Sequence, residues 1–164
     1  MARESLEEVY VEQLKDLYSA EQQILRALPK MAKSAVHPDL QQAFTDHEQV
    51  TRVHVQRLER IFKDLGQSPG GHKCKGMEGL LAEGDELMEE HSESDALDAA
   101  MIAAAQRVEH YEIAGYGTVR TFANMLGLDE HAQALQQTLD EEGSTDEKLT
   151  ELAETVVNID AVKE

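Results

Sequence analysis

Apolar residues recur along most of this chain at alternating steps of three and four, the period of helices that bury one face. The first such run holds Leu14, Leu17, Ile24 and Leu28 behind Ser5 and Glu8, a capping box that opens a helix from about Ser5 into the thirties. Pro29 lies inside that run and predicts a kink or a loosening of its last turns, because proline removes a backbone donor and crowds the preceding turn. Val36-His37-Pro38 reads as a turn, with Pro38 in the first turn of a second helix, where its missing N–H costs nothing. The seam of that helix reads Leu40, Phe44, His47, Thr51, His54, Leu58, Ile61 and Leu65, and Gly66 closes it.

From Gln67 to Gly76 the chain carries Pro69, Gly70, Gly71 and Gly76, the composition of a loop, and Met77 to about Glu90 reads as a short acidic amphipathic helix. A third long helix opens near Ser94-Asp95 and shows Ile102, Ala105, Glu109, Glu112, Tyr116, Val119, Ala123 and Leu126 before Gly127 ends it. Asp129 is the expected cap of a fourth, with Ala132, Leu135, Leu139, Glu142, Asp146, Leu149, Ala153 and Val156 in its seam; the final AVKE is expected to fray. Short turns make two antiparallel hairpins of these helices. A helix of about 27 residues is ~40 Å long, and the middle connector can cross that distance, so the second and third long helices can run parallel. The expected fold is all-α: one domain over residues 1–164, a ferritin-like four-helix bundle whose long crossover contains a short extra helix.

Polar residues interrupt every seam near its middle: Glu21 on the first helix, His47, Thr51 and His54 on the second, Glu109 and Glu112 on the third, Glu142 and Asp146 on the fourth. Counted from the hairpin turns, these interruptions fall at one height in the bundle. Carboxylates gathered there without a Lys or Arg in the same seams repel one another and resist desolvation, so a cation is expected among them. Two divalent metal ions bridged by carboxylates, with imidazole completing the shells, satisfy the cluster, and an oxygen-rich set with some nitrogen suits iron or manganese. The alternative is a structural core of protonated carboxylates and water. Among the histidines His47 is the first choice, since Thr51 can face inward with only one of its neighbours. Tyr18 and Tyr116, one turn from the cluster, are candidate hydrogen-bond donors to it or ordinary core tyrosines. Glu48, Glu59, Asp140 and Glu141 read as solvated, and His110 and His131 as surface residues.

Composition narrows the partners. A net charge of −18 and a pI near 4.6 disfavour nucleic acid and anionic membranes, both of which are bound through clustered Lys and Arg. Aromatic residues are only 4% and Trp is absent, so the core is built from aliphatic side chains. The N-terminal MARESLEEVY has no apolar run suited to a signal peptide, and no stretch of about 18 apolar residues is present to span a membrane, so a cytoplasmic protein is expected. The one cysteine, Cys74, agrees with a reducing compartment. With His72 it offers two ligands where structural zinc takes about four, so it reads as a plain loop thiol.

LKDLYSAEQQILRALPKM, KCKGMEGLLAEG, AAQRVEHYEIAGYGTVR and TLDEEGSTDEKLTELA resemble the YciE/YciF family of ferritin-like bacterial stress proteins, over nearly the whole chain. The resemblance implies a homodimer-forming bundle with a di-iron or di-manganese centre, related in architecture to rubrerythrin and manganese catalases. By motif position it carries Glu21, His47, Glu109, Glu112, Glu142 and Asp146 over as ligands. Two departures stand out. Relatives are acidic just after the His47 position, where this chain has Gln49 and Val50, and Glu48 comes one residue early; one metal position is then weakened, with His54 as the compensating ligand. Gly143 replaces the usual Lys and lowers helix propensity beside Glu142 by about 1 kcal/mol. The functional expectation is a stress-response protein acting on peroxide or oxygen, the alternative a non-enzymatic protein with a structural polar core.

Overall fold

Ser5 opens the first helix as its capping box predicts: in the computed structural model, which describes residues 5–163, its Oγ accepts from Glu8 N at 3.2 Å while Ser5 N donates to Glu8 Oε2 at 2.7 Å. The helices are α1 (Leu6–Ser34), α2 (Pro38–Asp64), α3 (Lys75–Glu90), α4 (Leu97–Met125) and α5 (Asp129–Leu152), followed by a π-helical turn (Ala153–Val157) and a last short helix, α6 (Asn158–Val162). Pro38 occupies the first turn of α2, and Gly66 and Gly127 take left-handed φ values of 64° and 71° where α2 and α4 end. Among the described residues no helix is long and apolar enough to cross a membrane.

Helix α1 packs on α2 and α4 on α5, while α1 also meets α4 and α2 meets α5. The start of α4 touches the α1–α2 turn, where Asp98 accepts from Val36 N at 2.8 Å and His37 N at 2.7 Å; its far half, Val119 and Ala123, packs with Tyr10 and Leu14 near the start of α1. Helix α4 therefore runs antiparallel to α1 and parallel to α2, which is the ferritin-like crossover, and α3 lies outside against α4 and α1. Asp98 is a buried carboxylate with two backbone donors, a feature the sequence pattern did not single out. Asp98→Ala leaves both N–H groups without their acceptor and is expected to cost about 2 kcal/mol, read as a lower midpoint in urea.

Several boundaries differ from expectation. Helix α1 is continuous through Pro29. The third long helix begins at Leu97 after Ala96, and Asp129 is the first residue of α5 and not its cap, where its charge still favours the helix N-terminus. The chain end is helical to Val162 rather than frayed from Ala161. Residues 1–4 of the N-terminal segment, and Glu164, lie outside the described residues. Cys74 is no loose loop thiol: it is fully buried as the N-cap of α3, its Sγ accepting from Met77 N at 3.3 Å and lying 3.2 Å from Asp16 Oδ2 and 3.0 Å from the Tyr111 hydroxyl.

The apolar core comes in two parts. One holds Ile24, Leu28, Leu40, Phe44, Met101, Ile102, Ala105 and Leu149; the other holds Tyr10, Leu14, Leu17, Leu58, Ile61, Tyr116, Val119 and Leu135. On every long helix the polar interruption falls between these two sets. The bundle is thus an apolar core cut by one polar layer.

Candidate metal centre

Helical periodicity delivers the polar layer. Glu21 follows Leu17 by four residues and precedes Ile24 by three; His47, Thr51 and His54 continue the stripe between Phe44 and Leu58; Glu109 and Glu112 lie between Ala105 and Tyr116. All of these, with Glu142 of α5, are buried. Both histidines face inward on either side of Thr51, so the choice between them does not arise. Two donor sets can be drawn, each with ligand atoms within 4.8 Å of one another: His47, Glu109, Glu112 and Glu142, and Glu21, His54 and Glu142. Glu142 belongs to both.

The contacts inside the layer are close but poorly aimed at each other. His47 Nε2 lies 3.1 Å from Glu109 Oε1, and His54 Nδ1 lies 2.8 Å from Glu142 Oε1 and 3.3 Å from Glu21 Oε1. Yet His47 Nε2, His54 Nδ1, Glu21 Oε2, Glu109 Oε2, Thr51 Oγ1 and both carboxylate oxygens of Glu112 and of Glu142 make no hydrogen bond. Buried polar atoms are nearly always paired. Lone pairs that crowd one volume without bonding one another fit the shell of a common cation.

The outer contacts are well formed. His54 Nε2 meets Glu141 Oε2 at 2.8 Å, and Glu141 is held in turn by a bidentate pair with Arg57 at 2.6 and 2.9 Å. That contact assigns the Nε2 proton and leaves Nδ1 facing Glu21 and Glu142, an arrangement in which a carboxylate fixes the orientation of the imidazole. Tyr116 donates to Glu21 Oε1 at 2.5 Å, and Thr145 Oγ1 lies 3.4 Å from His47 Nδ1. Electrostatics follow from crowding. Burial, then the charges of Glu142, Glu21 and Glu109, push Glu112 well above the ordinary carboxylate range. Burial is also the main cause of the raised values of Glu109 and Glu142. It lowers His47. Burial pulls His54 down too, but the carboxylates of Glu142 and Glu21 beside Nδ1 outweigh it and hold the imidazole at about 10.

The layer does not gather every expected residue. Asp146 is only half-buried and turns aside to Gln106 Nε2 at 3.2 Å and His110 Nε2 at 3.2 Å, one turn beyond Glu142 at the edge of the cluster. Tyr18 points to Glu59 at 3.3 Å, away from the layer. His110 is exposed as expected, but His131 is not a surface residue: it is buried, 3.2 Å from the Tyr10 hydroxyl. Glu141 is not simply solvated, since it serves His54. Gln49 is exposed and Val50 lies beside the layer, so an acidic side chain at 49 would face away from it. Glu48 pairs with Arg52 at 2.6 Å.

Ferritin-like di-metal bundles draw four Glu and two His from a Glu on each of two helices and Glu-x-x-His on each of the others. Here Thr51 stands three residues before His54 and Thr145 three residues after Glu142, so both motifs are broken. Four glutamates and two histidines are gathered nonetheless, with Glu109 of α4 and His47 of α2 as the additional donors.

The model of a domain of unknown function, DUF892, matches residues 5–162. The chain belongs to this family. Among DUF892 relatives, protein YciF of Escherichia coli strain K12 is 43% identical over 159 residues, covering 96% of each chain. The crystal structure of that stress protein superposes with a TM-score of 0.90 over 94% of this chain and 98% of its own. YcfI of Rhodopseudomonas palustris, described as a candidate structural protein, is 42% identical with a TM-score of 0.85, over 92% of this chain and 97% of its own. A Xanthomonas campestris protein, 23% identical with a TM-score of 0.75 over 94% of each chain, shares the fold. The DUF892 chain is accordingly a YciF-like helical bundle with a buried cluster of carboxylate and imidazole side chains.

Proposed function

We propose that the polar layer binds two divalent metal ions, iron or manganese, and that this cytoplasmic, homodimeric stress-response protein uses them on peroxide or oxygen. The reading rests on one observation: buried ligand atoms of Glu21, His47, His54, Glu109, Glu112 and Glu142 lie together without hydrogen-bond partners. Their charge supports the stoichiometry. Four carboxylates at −4 are balanced by two divalent ions at +4, and oxygen-rich ligation with two imidazoles suits iron or manganese better than zinc. Bound there, such ions supply one-electron redox chemistry in a dry cavity. The protein's own residues hold the geometry: Glu142 spans both donor sets, Tyr116 fixes one oxygen of Glu21, and Glu141 fixes the tautomer of His54. Asp146 is an outer neighbour that could join only by turning from Gln106.

Elemental analysis after anaerobic reconstitution, with anomalous scattering at the iron and manganese edges, tests the reading; about two ions per chain are expected, and less than ~0.3 ion per chain refutes it. Loaded protein should consume peroxide or oxygen, Glu109→Ala should abolish this, and exposed Asp140→Ala should not. Light scattering checks the dimer. Glu141→Ala should lower metal affinity by about 10- to 100-fold, the usual effect of losing the carboxylate behind a ligating histidine, measured by competition with a chelator.

A second reading is favoured by His54 itself. An imidazolium between Glu21 and Glu142 partly neutralises the layer without any ion, which suits a non-enzymatic protein with a structural core. Metal-free protein that melts no lower than reconstituted protein supports that alternative.

A further inference from the structure

Between α1, α2, α4 and α5, on the side of the polar layer nearer the α1–α2 turn, lies a cavity of about 70 Å³. Between its two polar ends the wall is apolar, with Ile24, Phe44, Ala105 and Val108 buried and Ala43 and Val50 half-buried. The inner end is His47, Glu109 and Thr145; the outer end carries the exposed Asp46 and Lys148. It therefore joins solvent to one donor set of the metal centre and not to the other, which holds Glu21 and His54.

Size and lining select what can occupy it. The space admits a few molecules the size of water and no extended ligand. Polar solutes entering an apolar wall give up their hydrogen bonds to water, at ~2 kcal/mol or more for each group left unpartnered. Hydrogen peroxide would have several such groups. Dioxygen has none to lose, and apolar cavity walls take up apolar gases. We propose that this cavity is the passage and holding chamber through which dioxygen, rather than peroxide, reaches the His47–Glu109 side of the centre. The inference rests on the di-metal reading for its purpose, but the cavity's selectivity stands on its lining alone.

The test is made on metal-free protein, so that it does not depend on the metal. Crystals pressurised with xenon should show a xenon peak between Ala43, Phe44 and Val108. In solution, dissolved dioxygen should enhance methyl relaxation several-fold more at Ile24, Val108 and Leu149 than at Leu58 and Leu135, which lie in the other half of the core. Ala43→Leu fills the half-buried wall and should remove both signals while metal uptake stays at the wild-type level; Ala105→Val, a smaller change in a buried position, should weaken them. Melting curves show that both variants fold. Ordered waters in place of xenon, uniform relaxation throughout the core, or signals unchanged in Ala43→Leu would each overturn the inference. Failure of metal loading with the gas signals intact would instead overturn the di-metal reading and leave the chamber in place.

Discussion

Replacing Glu142 by alanine is expected to empty both metal positions, whereas Glu21→Ala is expected to empty one. The two donor sets share only Glu142. Without it the first falls back on His47, Glu109 and Glu112, and the second on Glu21 and His54, while the carboxylate charge drops below what two divalent ions require. Loss of Glu21 leaves the first set whole. The effect on stability is large because an ion that binds only the folded state adds about 4 kcal/mol when free metal exceeds its Kd a thousandfold. Two ions add about twice that, and each kcal/mol moves the melting temperature of a domain this size by ~2–4 °C. Wild type should therefore melt tens of degrees higher with metal than with chelator, and Glu142→Ala should show almost no such difference. Glu142→Gln, which keeps the volume, guards against a packing defect. One ion retained at full occupancy in both Glu142 variants would show that the two positions do not share this residue.

What the sequence disclosed and what it hid follow from the range of the interactions. The three-four stripes are local, so the four long helices, the hairpins and the level of the polar layer could be read from spacing alone. Six of the seven expected ligands meet for that reason. Asp146 misses because a one-turn offset along α5 carries it toward Gln106, a partner on another helix that no intrahelical pattern announces. Glu141 was read as solvated since it lies off the seam of α5; its role depends on Arg57 and His54 of α2, again across the bundle. His131 and Asp98 share that origin, one buried against Tyr10 and the other tying the start of α4 to a turn more than sixty residues earlier. Cys74 was misplaced because a glycine-rich neighbourhood reads as loop, whereas the thiol caps a helix whose first residue is Lys75. The broken Glu-x-x-His motifs are visible in the sequence itself: Thr51 and Thr145 stand at the expected intervals beside intact donors, Thr51 fully buried and Thr145 half-buried.

Glu112→Gln is expected to stabilise the metal-free protein and destabilise the loaded one. Glu112 is fully buried, neither carboxylate oxygen has a hydrogen-bond partner, and it faces Glu21 of α1, His47 of α2, Glu109 of its own helix and Glu142 of α5. Burial first, and then the neighbouring carboxylates, raise its folded-state value far above the ordinary 4.5. The folded protein therefore binds this proton more tightly than the unfolded chain does. Its contribution is fully present below pH 4.5 and is lost as pH climbs through the raised value. Glu109 and Glu142, also raised, act in the same direction. So does His54, whose contribution is present below 6.5 and is lost as pH rises through about 10. His47 acts oppositely: its lowered value costs stability only as pH falls below the ordinary 6.5. Metal-free wild type should thus lose stability from weakly acid to neutral pH and beyond. Glutamine keeps the volume without the titrating group, so the variant should escape part of that loss and gain on the order of 1–3 kcal/mol near neutral pH, the range in which replacing buried charge falls. With metal the order reverses. The ion takes the proton's place as neutralising cation, the variant lacks a charged ligand, and loss of one position removes about 4 kcal/mol of linked stability at thousandfold excess. Melts of both proteins from pH 5 to pH 9, with chelator and with metal, decide the matter: a metal-free variant that melts below wild type at neutral pH would mean that Glu112 is not crowded by the carboxylates around it.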